Sequence, residues 1–114
     1  MIRVFSLVFF ITLAACSNNT KAPPPDILSK EKMVQYLIDL EITEAKITSL
    51  NLPPDTIKTF YDTIRKELFR KHNMTDSAYY KSLRYYLYDV KDMEDIYSAV
   101  VDSLSLRERL QNNK

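Results

Sequence analysis

Apolar side chains recur every three or four positions through most of the chain, a spacing that places them on one face of an α-helix. Four such stretches follow one another, so the pattern predicts four helices. Their predicted inward faces are, in chain order, Met33, Leu37, Leu40 and Ile47; Ile57, Phe60, Tyr61, Ile64 and Leu68; Tyr79, Leu83, Tyr86 and Val90; and Met93, Ile96, Tyr97, Val100 and Leu104.

Polar caps and prolines mark the ends of the first two predicted helices. Ser29 is a suitable N-cap for a helix that runs to about Leu50. The sequence NLPPD follows and ends this helix, because proline cannot continue helical hydrogen bonding. Either Pro54 or Asp55 then begins the second helix, where proline at the first position is favourable.

The second half of the chain contains the remaining two helices. Asn73 is predicted to end the second helix in a left-handed conformation, and Thr75 to cap the third. A break near residues 89–92 precedes the fourth helix, although neither proline nor glycine marks it. The prediction is an all-α domain over residues 29–106, either a four-helix bundle or two packed helical hairpins, followed by a polar tail over residues 107–114.

The composition fits this picture and excludes several functions. The chain has 114 residues, which suits one small domain, and it contains no glycine. Without glycine, neither a phosphate-binding P-loop nor a dinucleotide-binding fingerprint is present. The charges nearly balance, with 16 basic and 15 acidic residues, so nothing in the overall charge points to nucleic acid as a partner.

Residues 1–15 have the pattern of a bacterial lipoprotein signal peptide. A positive charge at Arg3 precedes ten mostly apolar residues, Val4 to Leu13, which are too few to span a bilayer. The sequence LAAC that follows resembles a lipobox, in which the cysteine thiol receives a diacylglyceryl group. Cleavage before the cysteine then makes it the first residue of the mature chain. Lipidation of Cys16 is therefore predicted; the alternatives are an ordinary secretory signal or a buried N-terminal helix.

Residues 16–28 read as the lipidated cysteine and a flexible tether. They are rich in Ser, Asn and Thr, and the run Pro23–Pro25 favours an extended chain. Ser17 after the cysteine is not an inner-membrane retention signal by the enterobacterial rule, which favours the outer membrane. No acidic cluster follows Cys16, so the periplasmic face is favoured over the cell surface. Lipidation would use the chain's only cysteine and leave no thiol for disulfides, catalysis or metals.

Two carboxylates were candidates for chemistry. Glu44 falls within the apolar face of the first predicted helix and Glu41 at its edge, where an unpaired charge would be costly. They suit either an acid–base or cation-holding pair or structural carboxylates bound by Arg84, Arg65 or a tyrosine hydroxyl, and the structural role is favoured. His72, the only histidine, lies among cations at a helix end and is predicted to have a capping role. No metal or catalytic site is predicted.

The sequence YYKSLRYYLY holds five of the eight tyrosines. At helical spacing, Tyr79 and Tyr86 point inward. Tyr80, Tyr85 and Tyr88 remain near the outer side, where a large ring with a polar tip suits a protein interface or sugar stacking. These three are therefore the candidate binding surface, and the alternative is that they pack at a seam between helices.

Most of residues 23–104 resembles a family of small Bacteroidota lipoproteins that is known only as a domain of unknown function. The matching positions are Asp39-Leu40, Glu44-Ala45, Lys71, Met74-Thr75, Ser82-Leu83, Tyr85-Tyr86, Ile96-Tyr97 and Val100. His72-Asn73 replaces a Tyr-Gly pair, and Val90 stands where proline is frequent, which affects local caps only. The resemblance implies no activity.

Two classes of function follow. The leading hypothesis is a non-enzymatic interaction module, anchored by lipid to the outer membrane and facing the periplasm as an accessory subunit of an envelope assembly. The alternative is a small-ligand or glycan binder that uses the tyrosine-rich third helix. A hydrolase acting through Glu41 and Glu44 is disfavoured, because a catalytic partner is lacking. No cofactor and no nucleic-acid partner are predicted.

Overall fold

A computed structural model of the chain describes residues 22–114; the predicted signal peptide and the predicted lipidation at Cys16 lie outside this part. Within it the chain forms four helices and no strand. They are α1 (Lys30–Thr48), α2 (Pro54–Lys71), α3 (Asp76–Leu87) and α4 (Val90–Asn112). The prediction of an all-α domain of four helices is confirmed.

Three of the helices begin at a side-chain cap. The oxygens of Ser29, Thr75 and Asp89 accept hydrogen bonds from backbone amides two or three residues later, at 3.2, 3.1 and 2.9 Å. Each bond satisfies an amide that has no partner within its own helix. The predicted caps at Ser29 and Thr75 are confirmed, and Asp89 marks the break that separates α3 from α4.

Asparagine makes the tight turns that glycine makes in most proteins. Asn51 and Asn73 both have φ of 50°, in the left-handed region. After α2 the amide of Met74 donates to the Phe69 carbonyl at 2.9 Å and that of Asn73 to the Arg70 carbonyl at 3.1 Å, which completes a Schellman motif. The left-handed cap predicted at Asn73 is confirmed, whereas the one at Asn51 was not predicted.

Helices α1 and α4 form the central pair of the domain. It packs against both α2 and α4, and α3 packs against α4. Lys30 at the start of α1 forms ion pairs with Asp92 and Asp95 at the start of α4, so these two helices lie side by side with their N-termini together. The α1–α2 hairpin and the α3–α4 hairpin therefore pack together through α1 and α4.

Tyr36 of α1 lies at the centre of the core and is 1% exposed. Its ring stacks on Phe69 of α2 with centroids 5.0 Å apart and tilts against Tyr79 of α3 at 4.8 Å. Such aromatic pairs stabilise a core beyond the area they bury. Neither Tyr36 nor Phe69 was among the residues predicted to face inward.

Most predicted inward residues are buried or half-buried, but three are not. Phe60 is 44%, Val90 79% and Tyr97 54% exposed, so their assignment to the core is wrong. Helix α3 has only 12 residues, whereas α2 has 18 and α4 has 23. It is therefore too short to cover the apolar faces of its longer neighbours along their whole length.

The chain before α1 is part of the folded domain. The amide of Leu28 donates to the hydroxyl of Ser82 at 2.8 Å, and the hydroxyl of Tyr86 donates to the carbonyl of Leu28 at 2.7 Å. Ile27 and Leu28 also pack against the core. Residues 27 and 28, which were assigned to the flexible tether, therefore belong to the domain.

Helix α4 continues to Asn112, six residues beyond the end predicted for the domain. The expectation that residues 107–114 form a frayed polar tail is wrong for most of them. Arg, Glu, Leu and Gln dominate this stretch, and all of them favour helix. Their side chains are exposed, so helix propensity and not packing extends this end of α4.

Replacing Tyr86 with phenylalanine removes the hydroxyl that binds the Leu28 carbonyl and keeps the ring in the core. We expect the free energy of unfolding, measured by urea denaturation, to fall by about 1 kcal/mol because one hydrogen bond is lost. Tyr85→Phe is the matched control, since Tyr85 is 41% exposed on the same helix. Equal losses in the two variants would contradict a specific role for the Tyr86 hydroxyl.

Candidate functional site

The three candidate tyrosines of α3 are exposed, as predicted, but they do not form one surface. Tyr80, Tyr85 and Tyr88 are 44%, 41% and 94% exposed. Tyr80 and Tyr85 are five residues apart, which places them about 140° apart around the helix. Tyr85 and Tyr88 are three residues apart and share a face at the other end of α3. The structure therefore separates Tyr80 from the other two.

Tyr80 lines an open groove between α2 and α3. The groove has a volume of about 590 Å³. Its lining residues are Asp62, Arg65, Lys66, Phe69, Met74, Thr75, Asp76 and Tyr80. Aromatic rings and charges of both signs meet there, so the groove has the groups needed to hold a small molecule with a flat apolar part and polar substituents.

A second groove lies between α1 and α4 and was not predicted. It has a volume of about 450 Å³, with Val34 and Ile38 on one side and Ile96 on the other. Lys30 at its rim is held by ion pairs, and hydrogen bonding to Asp92 raises the pKa of Lys30. Lys30 and Asp95 on this rim therefore already have partners, whereas Glu31 makes no ion pair within residues 22–114.

The candidate carboxylates are not a buried pair. Glu41 is exposed and Glu44 is half-buried. Neither carboxylate makes an ion pair or a side-chain hydrogen bond with any residue from 22 to 114. The predicted partners Arg65 and Arg84 therefore do not bind them. The prediction of burial is therefore wrong for Glu41, which lies outside the packed face of α1. The structure gives Glu44 no bridging role.

Glu44 and Arg65 instead act on the aromatic core at longer range. Burial raises the pKa of Tyr79, and the neighbouring Tyr80 and Tyr97 add to the rise. The Glu44 carboxylate raises this pKa further, and the Arg65 guanidinium opposes it. The Tyr79 hydroxyl therefore responds to charged groups on α1 and α2 as well as to its burial.

A polar cluster that sequence reasoning missed joins α1 to the end of α2. Asp39 accepts hydrogen bonds from Lys71 at 2.8 Å and from His72 at 2.9 Å. The Lys71 hydrogen bond, followed by that of His72, holds the pKa of Asp39 below its ordinary value. His72 stands at the C-cap of α2, but its ring bonds to Asp39 and not to the helix carbonyls.

One signal in the sequence could have found this cluster. Asp39 and Lys71 both lie at positions of the family pattern that the sequence matches, although they are 32 residues apart. The cluster contains a carboxylate and an imidazole but no adjacent hydroxyl or thiol nucleophile. Its geometry therefore fits a clamp between two helices better than a nucleophilic catalytic site.

Two further properties of residues 22–114 concern metals and membranes. No three His, Cys, Asp or Glu side chains in this range lie close enough to hold a metal ion together. None of its four helices combines the length and the apolar character that a membrane crossing requires.

The protein is a small all-α domain in which the segment before α1 is fixed to α3. The family model described as a domain of unknown function (DUF4296) matches residues 24–109, and the chain belongs to this family. A search of curated proteins and a search of solved structures each gave no significant match. The family match begins before Ser29, in agreement with the docking of Leu28 on α3.

Replacing Asp39 with asparagine removes the charge that pairs with Lys71 and His72. Because the folded state lowers the pKa of Asp39 below 3.8, its contribution to stability is present at neutral pH and is lost as the pH falls through that lowered pKa. We expect Asp39→Asn to lower the free energy of unfolding at pH 7 by about 1 kcal/mol and to lose this difference in acid.

The measurement is urea denaturation of both proteins from pH 7 down to pH 2.5. Asp102→Asn is the control, since Asp102 is exposed on α4. A deficit for Asp39→Asn that stayed constant over the whole pH range would contradict the charged clamp.

Proposed function

We propose that the protein is a lipid-anchored helical interaction module of the bacterial envelope and acts as a non-enzymatic accessory subunit of an assembly. The observation that carries this proposal is an apolar stripe on the outside of α4. Tyr97 and Val101 are 54% and 57% exposed, and the half-buried Leu104 continues their line. Exposed apolar patches of this kind mark protein interaction sites.

The spacing of this stripe (Tyr97, Val101 and Leu104) suits a partner helix. Residues at i, i+4 and i+7 lie along one side of a helix, and an apolar line of this kind is what helix–helix recognition uses. Tyr97 at the start of this stripe is itself an exposed aromatic side chain. Tyrosine is enriched in protein interfaces.

The sequence supports the location that belongs to this proposal. The signal-like segment, the lipobox-like LAAC and the polar tether favour lipid attachment at Cys16. Ser17 favours the outer membrane, and the periplasmic face is preferred because no acidic cluster follows the cysteine. The proposal also includes an origin among Bacteroidota lipoproteins, supported by the sequence pattern that the chain shares with them.

The partner is tested by affinity purification of the full lipidated protein from native envelopes in a mild detergent. We expect a stoichiometric protein partner, and we expect Tyr97→Ser with Val101→Ser to lower its recovery by about tenfold, the loss that 1.4 kcal/mol of binding energy produces. The matched control is Leu106→Ser with Leu110→Ser, because these residues are 51% and 58% exposed on the opposite side of α4.

Two results would overturn the proposal. If the native protein recovers no partner, or if the control pair and the stripe pair reduce recovery equally, the stripe is not a specific interface. The anchor is measured independently by the intact mass of the native product, which should exceed that of residues 16–114 by the diacylglyceryl and acyl groups.

A second candidate function rests on the groove that Tyr80 lines between α2 and α3. Its volume of about 590 Å³ and its aromatic lining suit a small ligand or one to two sugar rings. Stacking of a sugar on an exposed tyrosine ring would use the apolar face of the sugar while the neighbouring charged groups bond to its hydroxyls.

Tyr80→Ala tests this second function. If the groove binds a glycan, a panel of soluble oligosaccharides should include one that raises the melting temperature of the native protein and does not raise that of Tyr80→Ala. Tyr88→Ala is the control, because Tyr88 does not line the groove. If Tyr80→Ala and Tyr88→Ala respond to the panel as the native protein does, the groove is not a glycan site.

A further inference from the structure

Three large apolar side chains are exposed together at the turn between α3 and α4. Leu87 is 58%, Tyr88 94% and Val90 79% exposed. They form the 87–90 patch (Leu87, Tyr88 and Val90), which lies outside the groove beside Tyr80. Val90 precedes Tyr97 by seven residues and therefore lies on the same side of α4 as the stripe. An exposed apolar cluster of this kind on a small domain indicates a contact with another protein or with a membrane.

The patch lies at the end of the bundle where the N-terminal segment joins the domain. Leu28 is bound by Tyr86, one residue before the patch begins, and Lys30 is paired with Asp92, two residues after it ends. The start of α1, the end of α3 and the start of α4 therefore meet at one end of the molecule.

The N-terminal segment joins the domain near this end, because Leu28 is bound by Tyr86. Only six peptide steps separate Cys16 from Ala22, so a fully extended chain spans at most about 20 Å. The Ile27 amide donates to the Pro24 carbonyl at 3.0 Å, and this turn reverses the chain direction before α1. A lipid at Cys16 would therefore keep this point of attachment within reach of the bilayer, and α1, which begins there, is about 28 Å long.

We propose that the 87–90 patch inserts into the membrane interface beside the lipid anchor and fixes the orientation of the bundle on the bilayer. This inference rests on the proposed lipid anchor at Cys16. Tyrosine is enriched at membrane interfaces, where its ring sits at the level of the headgroups and its hydroxyl stays in water. Leucine and valine beside it add apolar area that the acyl boundary covers.

The charges around the patch indicate apolar insertion and not attraction to anionic lipids. Lys30 is paired with Asp92 and Asp95, and Lys91 with Asp95. Arg84, four residues before Tyr88, is exposed and makes no ion pair within residues 22–114. Three carboxylates near this end make no ion pair there either: Glu31, Asp89 and Glu94. Unpaired acidic groups therefore outnumber the unpaired cation, so the contact should be insensitive to salt and should form on zwitterionic lipids.

The chain contains no tryptophan, so one substitution gives an unambiguous fluorescent reporter. Lipidated, full-length Tyr88→Trp is reconstituted into phosphatidylcholine vesicles with and without brominated acyl chains, at low and high salt. The matched control is Leu50→Trp, because Leu50 is 61% exposed in the turn after α1, at the opposite end of the bundle. Flotation of each preparation verifies anchoring separately.

The proposal predicts a blue-shifted emission for Tyr88→Trp on vesicles, quenched by bromine at both salt concentrations, and no quenching for Leu50→Trp. If the protein floats and neither reporter is quenched, or both are quenched equally, the inference is overturned and the anchor stands. A blue shift of Tyr88→Trp on vesicles that bromine does not quench would overturn the inference and assign the patch to protein contact instead. A native product without lipid would overturn both the anchor and this inference.

Discussion

Two side chains of α3 hold both backbone polar groups of Leu28, and this contact joins the start of the domain to its third helix. Ser82 is fully buried, and its hydroxyl accepts from the Leu28 amide while the Tyr86 hydroxyl donates to the Leu28 carbonyl. Buried polar groups must be paired, so neither α3 nor the segment before α1 can move away without leaving groups unsatisfied. Since α3 otherwise packs chiefly on α4, this contact completes the bundle.

The aromatic core supplies the second constraint. Tyr36 contacts Phe69 and Tyr79, so one ring links three of the four helices. The Asp39 cluster lies one turn further along α1, where Lys71 and the ring of His72 fix the end of α2. The left-handed turn at Asn73 then directs the chain into α3. The local cap at Asn73 and the ion pair between Lys71 and Asp39 therefore both fix the position of the end of α2.

The short third helix connects this architecture to function. Because α3 covers only part of the bundle, apolar side chains on the longer helices remain exposed, and those of the α4 stripe suit a partner helix. The turn after α3 exposes a further apolar patch close to the contact with Leu28, and Val90 in this patch lies on the same side of α4 as the stripe. Exposed apolar side chains therefore extend from this turn along α4, and the grooves of the domain are open.

The sequence by itself determined the four helices and three of their caps (Ser29, Asn73 and Thr75), because each of these caps depends on backbone groups only two to five residues away. Only the tertiary structure decided which apolar residues are buried, that Leu28 belongs to the domain, and that Asp39 meets His72. The first depends on the length of α3, and the others on partners 54, 58 and 33 residues distant. Helical periodicity shows which residues lie on the same face of one helix. It does not show which neighbouring helix covers that face, or whether any does.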